Sequence, residues 1–356
     1  MPLTRSKGLT PATEISTTAA TGAAVCASPL PVLVRYPPIA QREAQLRTGE
    51  EHVLAEIFFG SAVPATRHIP SLQIDMPQLG GTPLAEVWLS YLPVRRGRSR
   101  GIGYSCNDQI LFGVLQREVA PSEARFEESV CWAYLDILGL IEGLGYPHLL
   151  RVWNYFPQIN SEAHGLENYR RFSRGRYQAF ERRYGECTRR LPAASALGSR
   201  AGGLNIYFIA SKEEGAHREN PRQVSAYHYP PQYGPRSPSF ARATLKRWGT
   251  EEFLFISGTA SVVGHETRHQ DALEAQLREA LRNVEVLLQT TGRDERTRIG
   301  GLSDLDSLKV YLRHARDYAA VKAAVETLVG ADVPALYLQG DICRDDLLVE
   351  VEGIAR

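Results

Sequence analysis

The chain has no excess charge of either sign, no apolar run long enough to cross a bilayer and no paired cysteine motif. Lys and Arg number 41 against 40 Asp and Glu, a net charge of +1. That balance excludes the electrostatic footprint of a nucleic-acid or anionic-membrane binder. The one local excess, the arginines of Arg95 to Gly101, reads as a basic, solvated turn. No segment approaches the roughly 20 apolar residues of a membrane helix. The first residues are rich in Ser, Thr, Ala and Pro and lack the apolar stretch of a signal peptide. Residues 1–30 are therefore expected to form a disordered tail, and the protein is expected in the cytoplasm. The five cysteines, Cys26, Cys106, Cys131, Cys187 and Cys343, are odd in number, scattered, and never spaced C-x-x-C. They predict reduced thiols, not a disulfide framework or a zinc knuckle.

A chain of 356 residues, 43% of them hydrophobic, is long enough for two domains with their own cores. The spacing predicts a repeat. In the second half, Glu251 to Gly264 reads as a strand-rich run with a Ser-Gly-Thr turn inside. A helix follows, with Leu273, Leu277, Ala280, Leu281, Val284, Leu287 and Leu288 on one stripe and Gly292 as its end. Leu308 to Arg313 is the next strand, with Val310 and Leu312 toward the helices. A second helix runs from Asp317 to Gly330, and a strand from Leu347 closes the chain. The first half shows the same order. Gly101 to Leu115 is strand-like. A helix carries Phe126, Val130, Ala133, Tyr134, Ile137, Leu138 and Ile141. Leu149 to Tyr155 is a strand, a second helix spans the run GLENYRRFSRGRYQAFERRY, and Gly202 to Ser211 is the closing strand. The expected fold is α/β: two tandem βαβαβ units with mixed sheets and helices packed on one face. The expected division is an N-terminal unit over 31–215, carrying an extra leading segment, and a C-terminal unit over 216–356. Between the repeats, Glu219 to Ala243 is too dense in Pro, Tyr and Arg for a long helix or a central strand. Long irregular segments of that kind often carry function.

The last strand raises the chemical question. Alternation places Glu350 and Glu352 on one face, opposite Val349 and Val351. Two carboxylates on a solvated face, or paired with Arg313, are ordinary. On a half-enclosed face beside the loop cysteine Cys343, one of them can serve as an acid whose proton is held by its like-charged neighbour. His265-Glu266-Thr267-Arg268-His269 matches the H-E-x-x-H pattern of zinc peptidases. That pattern works only inside a helix, where both histidines share a face. Here a glycine and a Val-rich strand precede it, and the helix begins only near Asp271. The peptidase reading fails, although either histidine can still border a site.

Residues from FISGTASVVG through LKVYLRHARDYAAVKAAVETLVG and VPAL to LLVEVEGIA resemble the Rid/YjgF family of imine deaminases. Leu336 stands where those enzymes carry a carboxylate-binding arginine, which argues against imine hydrolysis. A narrower resemblance, to the chorismatases, covers Arg151 to the end through RVWNYFPQIN, YRRFSRGRYQAF, NPRQVSAYHYPPQYGPRSPSFARA, FISGTASVVGHETRH and GDICRDDLLVEVEG. It implies an enzyme, free of metal and cofactor, that releases pyruvate from chorismate with Glu350 as general acid. Arg236, Arg176 and Arg313 are candidate anchors for the two substrate carboxylates. Tyr229 and Tyr233 are candidates to donate hydrogen bonds or wall the ring. The resemblance links a cysteine seven residues before the acid, here Cys343, to formation of 3-hydroxybenzoate, alone or with 4-hydroxybenzoate. It places a second small residue of that kind near Ala260. A hydrolytic chorismatase giving a dihydroxy-cyclohexadiene carboxylate, a Rid-type deaminase and a pure ligand-binding protein remain alternatives. The assembly is expected to be a monomer or a trimer.

Overall fold

The computed structural model describes residues 29–42, 51–60, 68–186 and 190–356. Almost all of the expected tail, together with Cys26 and Cys187, lies outside the described residues.

Three sheets are built in chain order. The first is small and four-stranded: β1 (Leu33–Arg35), β2 (His52–Phe59), β3 (Ser71–Ile74) and β4 (Ala85–Ser90), ordered β1-β4-β2-β3. The second begins with β5 (Arg95–Ser99), β6 (Ile102–Cys106) and β7 (Ile110–Arg117). Helix α1 (Phe126–Gly143), β8 (His148–Pro157), the hairpin of β9 (Glu162–Ala163) and β10 (Leu166–Glu167), α2 (Asn168–Tyr184), β11 (Ala193–Ser199) and β12 (Leu204–Ser211) follow. The third contains β13 (Ala216–Arg218), β14 (Ala243–Trp248) and β15 (Glu251–Ala260). It continues through the hairpin of β16 (Val262–Val263) and β17 (Glu266–Thr267), α3 (Leu273–Glu295), β18 (Leu305–Leu312), α4 (Tyr318–Leu328), β19 (Ala335–Gln339) and β20 (Val349–Ala355).

The second and third sheets correspond strand for strand. Their orders are β11-β8-β12-β7-β6-β5 and β19-β18-β20-β15-β14-β13. In each, a helix links two parallel neighbours, β8 to β11 and β18 to β19, while the closing strand inserts antiparallel between its partners. The α/β repeat is therefore present, with α1 and α2 on one face of the second sheet and α3 and α4 on one face of the third.

Several local expectations change. Arg95 to Ser99 is not a turn but an exposed edge strand, where charged side chains discourage further pairing. Gly101 to Leu115 is a hairpin whose turn is held by Asn107, which accepts from the amides of Gln109 and Ile110. Strands β11 and β19 are additional, since short runs buried on both faces show no polar alternation to mark them. Helix α3 continues past Gly292 to Glu295 and ends on Arg296 with φ of 54°. Gly292 is small because a Cβ there would lie 2.1 Å from the Ile299 carbonyl oxygen. Glu251 to Ala260 is one strand, with a register break between Ile256 and Thr259 in place of a turn. Strand β20 starts at Val349, so Leu347 belongs to the preceding loop.

Alternation then sorts the side chains. On β20, Val349 and Val351 join the layer under α3 and α4, while Glu350 and Glu352 face inward. The inner faces of all three sheets share one core, which includes Trp88 of β4, Trp153 and Tyr155 of β8, Tyr207 of β12 and Tyr311 of β18. The leading segment thus supplies a third wall to the core.

Candidate active site

Charge is buried at the centre of that core. Lys309 on β18 bridges Glu86 of β4, at 3.1 Å, and Glu352 of β20, at 2.9 Å. Glu352 also accepts from Arg151 at 2.7 Å, Trp153 Nε1 at 2.7 Å, Tyr311 OH at 3.1 Å and the hydroxyl of Ser195. Burial alone would raise its pKa. Lys309, Arg151 and these donors outweigh burial and hold it below the ordinary carboxylate range. Glu352 is therefore a fixed negative charge.

Glu350 lies one pleat away and in a different environment. It sits opposite Ala260 on β15 and Tyr311 on β18, and is 4% exposed, enclosed far beyond the half-open face expected. Burial first, and the Glu352 charge second, push its pKa up to about 8 against the opposing pull of Arg151 and Arg242. Two glutamates two residues apart are thus driven to opposite protonation states by their partners. In the second sheet the same place, second residue of the closing strand and opposite Tyr155, is held by Asn205. Only one of the two repeats carries an acid.

Glu350 opens into a cavity of about 470 Å³ between the two units. Its floor is Glu350, Gly258, Ala260 and Cys343. The N-terminal unit contributes Tyr169 and Arg170 from α2, and the irregular Glu219–Ala243 segment contributes Tyr229, Tyr233, Phe240 and Arg242. A loop ahead of β20 contributes Arg344, whose guanidinium lies 4.3 Å over the Tyr233 ring. A second chamber of about 40 Å³, room for about one water, adjoins behind Glu350 and is lined by Ser173, Arg176, Ser195 and Cys343.

The structure brings Glu350, Cys343, Ala260, Tyr229 and Tyr233 together at the main cavity. Arg176 reaches only the small chamber, buried over the rings of Tyr134 and Phe180. Two expected anchors lie elsewhere. Arg236 is exposed and stacks 4.4 Å from the Tyr177 ring. Arg313 turns away from the cavity to hydrogen-bond the Asp341–Leu347 loop. The cavity cations that spacing did not single out are Arg242, Arg344 and Arg170. Arg242 is 5% exposed; it donates to Val224 O and to Tyr229 OH at 2.8 Å, and its Nε keeps no hydrogen-bond partner among the described residues. Arg242 lines the cavity, and a buried guanidinium N–H without a partner leaves it donor capacity for an anion bound there. Arg170 is already paired with Glu167 at 3.0 Å.

Gly258 was also missed. A Cβ there would fall 2.0 Å from Glu350 Oε1, so glycine makes room for the carboxyl. Its amide donates to Ser195 Oγ at 2.9 Å. The Cys343 thiol is pushed up to about 12 by burial and by Glu350, so it is a neutral wall and not a nucleophile. The H-E-x-x-H residues fall on a hairpin and its following turn: His265 pairs with Tyr233 OH, and His269 with Glu279. Leu336 is fully buried in the shared core, so the cavity has no arginine from that strand.

Comparison with known proteins fits this geometry. The family description "Chorismatase FkbO/Hyg5-like, N-terminal" matches residues 86–210. The chain is 40% identical over 294 residues to a 3-hydroxybenzoate synthase of Streptomyces hygroscopicus, covering 80% of this chain and 85% of that one. The chain belongs to the chorismatase family. A chorismatase of Streptomyces rapamycinicus is 38% identical over 76% of this chain and 81% of its own. A chorismatase crystal structure superimposes with a TM-score of 0.84 at 32% identity, covering 92% of this chain and 99% of that one. The chorismatase likeness therefore spans all three sheets, including the leading segment. No helix among the described residues is long and apolar enough to cross a membrane.

Proposed function

We propose that this chain is a chorismatase that converts chorismate to pyruvate and 3-hydroxybenzoate. The observation that carries the reading is a buried glutamate, Glu350, kept protonated near neutral pH on the floor of a cavity walled by tyrosines and arginines. Chorismate presents two carboxylates, a ring hydroxyl and an enolpyruvyl ether. Its terminal methylene carbon accepts a proton slowly, so the acid must be held against it and still carry its proton. Glu350 gives that proton and an oxocarbenium ion forms. The neighbouring ring hydroxyl oxygen then displaces pyruvate from its ring carbon, and the resulting epoxide opens as that carbon loses its C–H proton, which leaves the oxygen at the 3-position. Direct loss of a proton from the hydroxyl-bearing carbon gives 4-hydroxybenzoate instead. Arg242 and Arg344 are the anchors for the carboxylates, and Tyr229, Tyr233 and Phe240 wall the ring.

Chorismate divides into pyruvic acid and a hydroxybenzoic acid without consuming water, because the ring loses a C–H proton as it becomes aromatic. That proton restores Glu350. Release of a non-aromatic diol consumes one water. Cys343 fills space beside the acid where Ala would leave a gap, and excluding water there favours the aromatic product. The assay is purified protein with chorismate, without added metal or nucleotide, reading pyruvate enzymatically and ring products by chromatography. Pyruvate with 3-hydroxybenzoate, alone or beside 4-hydroxybenzoate, supports the proposal. Pyruvate with the diol retains the enzyme class and removes the role given to Cys343. Folded protein that releases no pyruvate overturns the reading.

A further inference from the structure

Arg313 has a task that its place just after β18, the strand beside β20, does not announce. Its side chain spreads over the inner side of the loop that carries Cys343 and Arg344. Nε donates to Leu347 O at 2.8 Å, Nη2 to Arg344 O at 2.7 Å, and Nη1 to Asp341 Oδ1 at 2.7 Å. A longer contact reaches Ile342 O at 3.4 Å. The N-terminal unit closes the clamp from the other side. Asn160 Oδ1 accepts from Arg313 Nη1 at 3.3 Å, and Asn160 Nδ2 donates to Ile342 O at 3.0 Å. The side chain is 13% exposed and does not line the cavity.

We infer that Arg313, braced by Asn160, is a positioning residue that sets the product of the reaction by fixing the Asp341–Leu347 loop. The inference rests on the chorismatase reading. Asp341 at one end of the loop forms a backbone bridge with Gly198, and Asp346 at the other is held by Thr267 and Gln276; between those ends one planar fork spans four of its residues. Cys343 on that loop closes the floor beside Glu350, and Arg344 caps the mouth over Tyr229 and Tyr233. If the loop loosens, water enters beside the acid while the acid itself, on β20, stays in place. A lysine cannot replace the clamp, because a single ammonium cannot present donors in three directions across that span.

The test compares wild type, Arg313→Lys and the milder Asn160→Ala by hydrogen exchange of the 340–348 amides, product partition and the pH profile. Arg313→Lys is expected to speed exchange in that segment at least tenfold and to lower the hydroxybenzoate-to-diol ratio severalfold. The alkaline limb set by Glu350 should move to lower pH, because burial is the main cause that holds its proton and entering water relieves it, and Asn160→Ala should fall between. Unchanged exchange with an unchanged product ratio overturns the inference. So does a loss confined to KM with the loop exchanging as in wild type, which would make Arg313 a direct substrate anchor. A wild type that releases no pyruvate sinks the chorismatase reading instead, and the exchange data still decide whether the clamp exists.

Discussion

Replacing Glu350 with Gln removes the proton and the charge while keeping the shape, and its consequences for rate and stability can be worked separately. With a pKa of about 8, the carboxyl is about 90% protonated at pH 7. The same group at its ordinary value of 4.5 would be protonated in roughly 0.3% of molecules, so the environment raises the active fraction roughly 300-fold. Pyruvate release by wild type, followed in quenched samples with chorismate well below KM, should hold steady to about pH 7.5. Above pH 8 it should fall about tenfold per pH unit. Glu350→Gln should cost on the order of 10³-fold below about pH 8, the ratio narrowing above it as the wild type loses its proton. The stability effect has the opposite sign. Unfolded, the carboxyl ionises near 4.5; folded, it keeps its proton to about 8. Between those values the native state binds more protons, so stability falls as pH rises. The contribution is complete below the unfolded pKa and gone above the folded one. At about 1.36 kcal/mol per tenfold step, the difference approaches an upper bound of about 5 kcal/mol above pH 8. Glutamine has no charge to bury, so Glu350→Gln should melt higher than wild type at pH 9 and alike near pH 4.5. A variant within tenfold of wild-type activity, an alkaline limb near pH 5, or a melting difference independent of pH would each refute the argument.

Other perturbations act on the neighbours. Glu352→Gln removes the charge that helps hold the Glu350 proton, so the alkaline limb should move to lower pH. It also strips Arg151 of its carboxylate partner and leaves Lys309 with Glu86 alone, and chemical denaturation should show a loss of about 3 to 5 kcal/mol. Arg242→Met should raise KM for chorismate more than it lowers kcat, by about 10- to 100-fold, since a charged hydrogen bond to substrate is lost; an unchanged KM would remove Arg242 from the anchor role. Cys343→Ala should raise the diol fraction at nearly constant pyruvate release, read by chromatography.

Much of the site was legible before the fold was known, wherever one element contains the information. Glu350 and Glu352 share a face because strands alternate, and the two helical stripes announced the repeat because helices turn in 3.6 residues. The resemblance to chorismatases selected Glu350 from the pair. Two of the three expected anchoring arginines lie away from the cavity for a physical reason. Arg236 has rigid proline flanks and Arg313 sits beside the acid's strand, but neither fact says what its guanidinium will meet. Proline at Pro235 and Pro238 stiffens the backbone yet leaves Arg236 on Tyr177. Arg313 finds a set of loop carbonyls nearer than the cavity.

Local pattern determines which residues form elements and which side of an element turns inward. That Asn205 of one repeat stands where Glu350 stands in the other follows from strand register. What the inward side meets is decided by strands far apart in the chain. Arg151 and Trp153 reach Glu352 across 201 and 199 residues, and Lys309 joins Glu86 to Glu352 only because three sheets share one core. Those contacts hold Glu352 ionised and so help hold the proton on Glu350. A pKa depends on distance and burial, which are properties of the assembled core and not of any stretch of sequence.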